Sequence, residues 1–137
     1  MPGGVYCLLI RIPAETEVRV GALGNLRFKP GLYVYVGSAL KGFEARVGRH
    51  VRTAREKRVN ARWHIDYLLS HEGVELQAAY GLETSRRIEC EVAGMVSRYG
   101  EPVKRFGCSD CRCESHLFRI KEPEKIEKIF NRWIRLF

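Results

Sequence analysis

Gly4-Val5-Tyr6-Cys7-Leu8-Leu9-Ile10-Arg11-Ile12 is a nine-residue run of aliphatic and β-favouring residues that stops at Pro13. Those residue types and the stop at Pro13 predict a buried strand. Downstream, Glu17–Val20 and Leu26–Phe28 flank Gly21-Ala22-Leu23-Gly24-Asn25, which reads as an inserted hairpin near residues 17–28. After Pro30-Gly31, Leu32–Gly37 (LYVYVG) alternates aromatic and β-branched residues. It predicts a further strand, paired with the first.

A helix follows Gly42, because Phe43, Val47, Val51 and Ala54 recur at helical spacing. Trp63–Ser70 reads as a shorter helix ended by Gly73, and Val74–Tyr80 as another strand. Thr84 or Ser85 is a candidate cap for a helix to Tyr99, stopped by Gly100. His116–Ile120 reads as a short edge strand. From about Pro123, Ile126, Ile129, Phe130, Trp133, Ile134 and Phe137 form the apolar stripe of a C-terminal amphipathic helix. Together these predict one α+β domain over 1–137, a small antiparallel sheet flanked by helices.

Composition agrees with a globular domain: 137 residues, 45% hydrophobic and 29% charged. No run approaches the eighteen or so apolar residues of a membrane span, so a soluble, cytoplasmic protein with no membrane partner is expected. The net charge of +8 is unevenly spread. Between Lys41 and Arg62, eight basic residues face only Glu44 and Glu56. Such a block attracts a polyanion, nucleic acid first. Lys41, Arg49, Arg52, Arg55 and Arg58 are the candidate phosphate contacts.

Eight residues lie between Gly37 and Arg46, and three between Arg46 and His50. Helical geometry puts Arg46 and His50 on one flank of the apolar stripe, at its border with solvent, and points Arg49 away from it. Arg46 is therefore placed for a bidentate grip on phosphate, and Arg49 and Arg52 for freer steering. His64 and Asp66, two apart on one helix, do not share a face and form no dyad; each is expected to tie loops together.

Gly4-Val5-Tyr6, Tyr35-Val36-Gly37-Ser38, Arg46 and His50 together resemble the GIY-YIG nuclease motif. More narrowly, the chain resembles an uncharacterised branch of that superfamily. It shares Tyr33–Ala39 (YVYVGSA), Arg49-His50, Trp63–Leu69 (WHIDYLL) and Phe106–Phe118 (FGCSDCRCESHLF). The 28 residues between Tyr6 and Tyr35 exceed the compact motif, and the inserted hairpin accounts for them.

The resemblance implies a GIY-YIG-like fold and a single-metal endonuclease acting on DNA. In that reading Tyr6 is the general base, Tyr35 assists or orients the water, Arg46 stabilises charge on the phosphoryl oxygens, and His50 positions water or packs. Mg²⁺, or Mn²⁺, is held by one carboxylate and waters. Glu89 and Glu91 are the candidates. Helical geometry does not choose between them, since they flank the stripe Ile88, Val92, Met95, Val96, Tyr99 on opposite sides. The family pattern favours Glu89, with Ile88 before it and Val92-Ala93 after.

A second signal competes. Cys108, Cys111, Cys113 and His116 are four soft ligands within nine residues, of the kind that suits zinc. Their crowding into one loop argues instead for turn hydrogen bonds from Ser109 and Asp110, or for a Cys108–Cys113 disulfide. Cys7 and Cys90 read as small buried apolar residues. Two alternatives therefore stand beside the endonuclease: a non-catalytic nucleic-acid-binding module on the same fold, and a zinc-stabilised interaction domain. Either a monomer or a homodimer is compatible with each.

Overall fold

The computed structural model describes residues 2–58, 60–108 and 113–136. Strand β1 (Gly4–Ile12) occupies the middle of a six-stranded sheet. It pairs antiparallel with β4 (Gly31–Ala39) on one side and β5 (Glu75–Glu83) on the other. Beyond β4 come β7 (Leu117–Ile120) and β6 (Gly100–Pro102), and beyond β5 comes β8 (Arg132–Ile134), all antiparallel. The hairpin forms a separate two-stranded sheet, β2 (Thr16–Arg19) and β3 (Asn25–Phe28), with a 3-10 turn at Gly21–Leu23.

The period of two along β1 explains why its sequence does not alternate. Tyr6, Leu8, Ile10 and Ile12 enter one core while Val5 and Cys7 enter the other. Helices α1 (Phe43–Glu56) and α2 (His64–Leu69), with the hairpin's Val18, Val20 and Phe28, cover the first face. Helices α3 (Glu89–Ser97) and α4 (Pro123–Glu127) cover the second through Val92, Ala93, Val96 and Ile126. This is the expected α+β architecture. Among the described residues no helix is long and apolar enough to cross a membrane.

Helix α1 ends at Lys57, whose φ of 56° is left-handed. A lysine there is disfavoured relative to glycine. Its ammonium compensates by donating to the carbonyls of Leu69, His71 and Val74, which fastens the end of α1 to the chain around α2.

Several boundaries differ from expectation, β5 among them, which runs on past Tyr80 to Glu83. The C-terminal stripe is helical only over Pro123–Glu127, and Arg132–Ile134 then pairs with Ala79–Gly81 of β5. An open sheet edge offers backbone partners, and Trp133 and Ile134 favour extended structure. Ile134 is buried, Trp133 is 66% exposed, and Phe137 lies outside the described residues. Segment 117–120 is interior rather than an edge, because β6 begins at Gly100 and covers it. Pro102 is tolerated on that outer strand. Helix α3 starts at Glu89 rather than near Thr84, whose hydroxyl instead accepts the Arg86 amide in a local turn. Its buried face runs through Val92, Ala93 and Val96, leaving Met95 and Tyr99 each 42% exposed. Tyr99 falls outside the stripe because the helix has already ended at Ser97.

Candidate active site

The tyrosine–glycine pattern has a steric meaning. Tyr6 lies opposite Gly37 on one neighbouring strand and Gly81 on the other. A Cβ on Gly37 would sit 2.5 Å from Tyr6 Cζ and Oη, and one on Gly81 2.7 Å from Phe43 Cζ. Only hydrogen at both positions lets the two rings lie across the sheet. Tyr6 is thereby buried, with its Oη 2.6 Å from His50 Nε2.

His50 is fully buried rather than at the border with solvent, and Nδ1 has no hydrogen-bond partner. Burial, strengthened by Arg49 and Arg46 and opposed by Asp66, depresses its pKa to about 4, so the ring is neutral. An unpaired buried acceptor is better tolerated than an unpaired donor. The favoured tautomer therefore carries its proton on Nε2 and donates it to Tyr6 Oη. Tyr35 sets its ring edge-on to His50, with centroids 6.3 Å apart.

These groups meet in a cleft of about 490 Å³ lined by Tyr6, Tyr35, Arg46, Arg87 and Glu89, among others. The Arg46 guanidinium donates to the Ser38 carbonyl at 2.9 Å and lies over the Trp63 ring, 4.7 Å from its centroid. Glu89, first residue of α3, sets its Oε2 2.8 Å from His116 Nδ1. Glu91, two residues on, is exposed and does not line the cleft. Burial raises the Tyr6 hydroxyl well above its ordinary pKa, with Tyr35 and Glu89 adding to the rise and Arg46 opposing it. Tyr35 is raised chiefly by burial and then by Glu89.

Beside this cleft is a second groove of about 560 Å³, lined by Lys41, Arg46, Arg49, Arg62 and Arg87 as well as Trp63. Arg52 and Arg58 line a third with Asn60. Arg55 is exposed on the same helix. Arg49 departs from expectation. Instead of pointing away, it donates twice to the buried Asp66 carboxylate, at 2.8 and 2.9 Å, and its guanidinium lies over the Trp63 ring, 4.6 Å from the centroid. Asp66 also accepts the amides of Arg62 and Trp63, capping α2. Burial pushes its carboxyl up, but those hydrogen bonds and the Arg49 charge hold it below the ordinary value. His64 ties a different loop, accepting the Gly107 amide at 2.8 Å.

The cysteines assemble differently from the loop pattern. Cys108 is buried, its thiol donating to the Phe106 carbonyl at 3.6 Å. Cys111, Ser109 and Asp110 lie outside the described residues. Cys113 is joined by a disulfide to Cys90, with Cα atoms 6.1 Å apart, rather than to Cys108. Cys90 is therefore not a buried apolar residue. It opens towards the cleft and brings its sulfur together with Cys113 and His116, all three ligand atoms lying within 4.8 Å of one another. That grouping could hold a metal ion.

Sequence reasoning had not singled out Arg87, Trp63 or Cys90 as parts of the site. Arg87 had a signal in hindsight, a cation two residues before Glu89. Cys90 had none, since 23 residues separate it from Cys113.

No curated protein and no solved structure matches the chain. A family described as a domain of unknown function, DUF123, matches residues 5–137, and the chain belongs to that family.

Proposed function

We propose that this chain is a divalent-metal-dependent endonuclease that hydrolyses phosphodiester bonds in DNA. The observation that carries the reading is the convergence of Tyr6, Arg46 and Glu89 on one cleft, from three separate elements. The likeness to GIY-YIG nucleases points to the same residues, and the basic grooves beside the cleft supply a path for a phosphate backbone.

The donor set fits Mg²⁺ or Mn²⁺. Glu89 is the one carboxylate among the described lining residues, and magnesium is commonly held by one or two carboxylates with waters. Bound there, the cation supplies positive charge that polarises the phosphodiester and stabilises the leaving oxygen. The chain's own residues do the rest. Arg46, braced by Ser38 and Trp63, directs its remaining N–H donors at the phosphoryl oxygens, where charge grows in the transition state. Tyr6, as the phenolate left once its own proton has passed to solvent, takes the proton of the attacking water as the water oxygen bonds to phosphorus and the P–O bond to the leaving group breaks. His50 donates to Tyr6 Oη and so favours the phenolate, while Arg46 opposes the effect of burial on the same hydroxyl. Tyr35 orients the water.

A nicking assay on supercoiled plasmid with Mg²⁺, Mn²⁺ or EDTA tests the reading. Cation-dependent nicking lost in Glu89→Gln, with DNA binding retained, supports it. A second reading, a DNA-binding module without catalysis, is favoured by one observation: burial raises both tyrosine hydroxyls. Salt-sensitive binding with no cutting of any plasmid, branched or single-stranded substrate selects that module. Unimpaired cutting by both Arg46→Ala and Glu89→Gln overturns the site.

A further inference from the structure

We propose that Cys90, Cys113 and His116 form a zinc site when the two cysteines are thiols, and that the Cys90–Cys113 disulfide and the zinc site exclude each other.

The imidazole carries the argument. His116 is buried, and its Nδ1 lies 2.8 Å from Glu89 Oε2 and 3.1 Å from the Val36 carbonyl oxygen. Both neighbours are acceptors, so Nδ1 carries the proton. In the neutral ring Nε2 is then the unprotonated nitrogen, and it lies 3.9 Å from Cys90 Sγ. A metal-ligating histidine is ordinarily held this way, its far nitrogen donating to a carboxylate or carbonyl that fixes the tautomer and raises its basicity. Here both kinds of outer partner are in place.

The ligand chemistry selects the ion. Two thiolates and an imidazole are soft-to-borderline donors that suit Zn²⁺ and do not suit Mg²⁺. The objection that all four ligands of the Cys-rich loop come from one tight segment does not apply to this set. Cys90 stands at the first turn of α3 and Cys113 with His116 on the approach to β7, so the site joins two separate segments. Among the described residues three ligands come together, and water or a further donor completes a tetrahedron.

The two states differ by a balanced exchange. A dithiol reduces the disulfide, passing two electrons and two protons to the Cys90 and Cys113 sulfurs as it closes to its own disulfide. Zn²⁺ then displaces those two protons and binds the thiolates. Sulfurs bonded to each other are not thiolate ligands, so the oxidised chain lacks the site. The zinc site itself does not depend on the endonuclease reading.

The test uses the full chain, reduced with dithiothreitol, freed of reductant and metal under anaerobic conditions, and titrated with Co²⁺ as a spectroscopic stand-in. One equivalent with tetrahedral d–d bands and thiolate charge-transfer absorption, displaced by Zn²⁺, is expected. The unreduced disulfide chain is expected to show neither. Cys90→Ser, Cys113→Ser and His116→Asn should each weaken binding by roughly tenfold or more, while Cys108→Ser retains it. Because a variant can fail to fold, the wild-type chain is also alkylated with iodoacetamide with and without Zn²⁺. Zinc is expected to protect Cys90 and Cys113, as located by peptide mass spectrometry. Unprotected Cys90 in the zinc-loaded chain, full-affinity binding by Cys90→Ser, or equal binding by the disulfide form overturns the proposal. Failure of the folded, reduced chain to bind Co²⁺ or Zn²⁺ also overturns it, whatever the nicking assay shows.

Discussion

Tyr6 of β1 and His50 of α1 share a 2.6 Å hydrogen bond in the buried floor of the cleft. Burial keeps the imidazole neutral, its pKa pushed down to about 4 from 6.5. The unfolded chain takes up a proton near pH 6.5 that the folded chain accepts only near pH 4. This contribution to stability is complete above pH 6.5 and is lost as pH falls towards 4. Between pH 7.5 and 5 the loss is about 2 kcal/mol. Urea unfolding of wild type and His50→Gln at both pH values reads it: the wild type should weaken by that much more than the variant. Equal pH dependence in the two would show that His50 is not held neutral by the fold.

Gly37→Ala tests the steric logic of the same site. Its Cβ would fall 2.5 Å from the Tyr6 ring, which is buried in the core. Forcing extra volume into such a contact costs roughly 1–3 kcal/mol and displaces the Tyr6 hydroxyl from His50. Thermal unfolding should show that loss, and Gly37→Ala with Tyr6→Leu should lose less than the two single changes together. Strict additivity would mean that the close approach does not account for the glycine.

Asp66 and Arg49 give a different kind of expectation, one about architecture. The Asp66 side chain is 1% exposed and that of Arg49 23% exposed. Asp66→Ala removes the ion pair and the cap on α2 and leaves a half-buried guanidinium unpaired. A loss of roughly 3 kcal/mol follows, at the low end for a broken buried pair because Arg49 still reaches water. Asp66→Asn keeps one acceptor and should lose less. A double-mutant cycle between Arg49→Ala and Asp66→Ala in chemical denaturation should show strong coupling, and its absence would place Arg49 outside the scaffold.

Much of this was legible in the sequence where one physical rule acted alone. The run from Gly4 to Ile12 reads as a buried strand and is one, and the stripe Phe43, Val47, Val51 reads as a helix's buried face and is one. Tyr6, Tyr35, Arg46 and Glu89 could be chosen by motif, and one cleft brings them together. What failed was whatever depended on partners distant in sequence. Trp133 and Ile134 fit a helical stripe as well as a strand, and the free edge of β5 decided between them. Arg49 looked exposed on a helical wheel because the wheel does not contain Asp66. Cys90 reads as a packing residue because nothing local in the sequence says that Cys113, 23 residues on, returns to the start of α3.

Nucleic-acid binding should separate scaffold arginines from contact residues. Arg58→Ala and Lys41→Ala, both exposed, should weaken DNA binding and lower the slope of log K against log salt by up to about 1 each. Arg49→Ala should leave that slope nearly unchanged, since its charge is already committed to Asp66. Fluorescence anisotropy across a salt series distinguishes the cases. A slope change for Arg49→Ala as large as for Arg58→Ala would return Arg49 to the phosphate contacts.

Arg46 is the sharpest test of catalysis as opposed to binding. Its guanidinium is fixed by the Ser38 carbonyl and the Trp63 face, so a lysine of equal charge cannot reproduce its planar fork. If its donors meet charge that develops only in the transition state, Arg46→Lys should lower kcat by roughly 10²-fold or more while DNA affinity changes little. Single-turnover cleavage with enzyme in excess isolates that step, and anisotropy gives the affinity. Should affinity fall in proportion to rate, Arg46 would be a ground-state phosphate contact, and the transition-state role would have to pass to another cation lining the cleft, of which Arg87 is the first candidate.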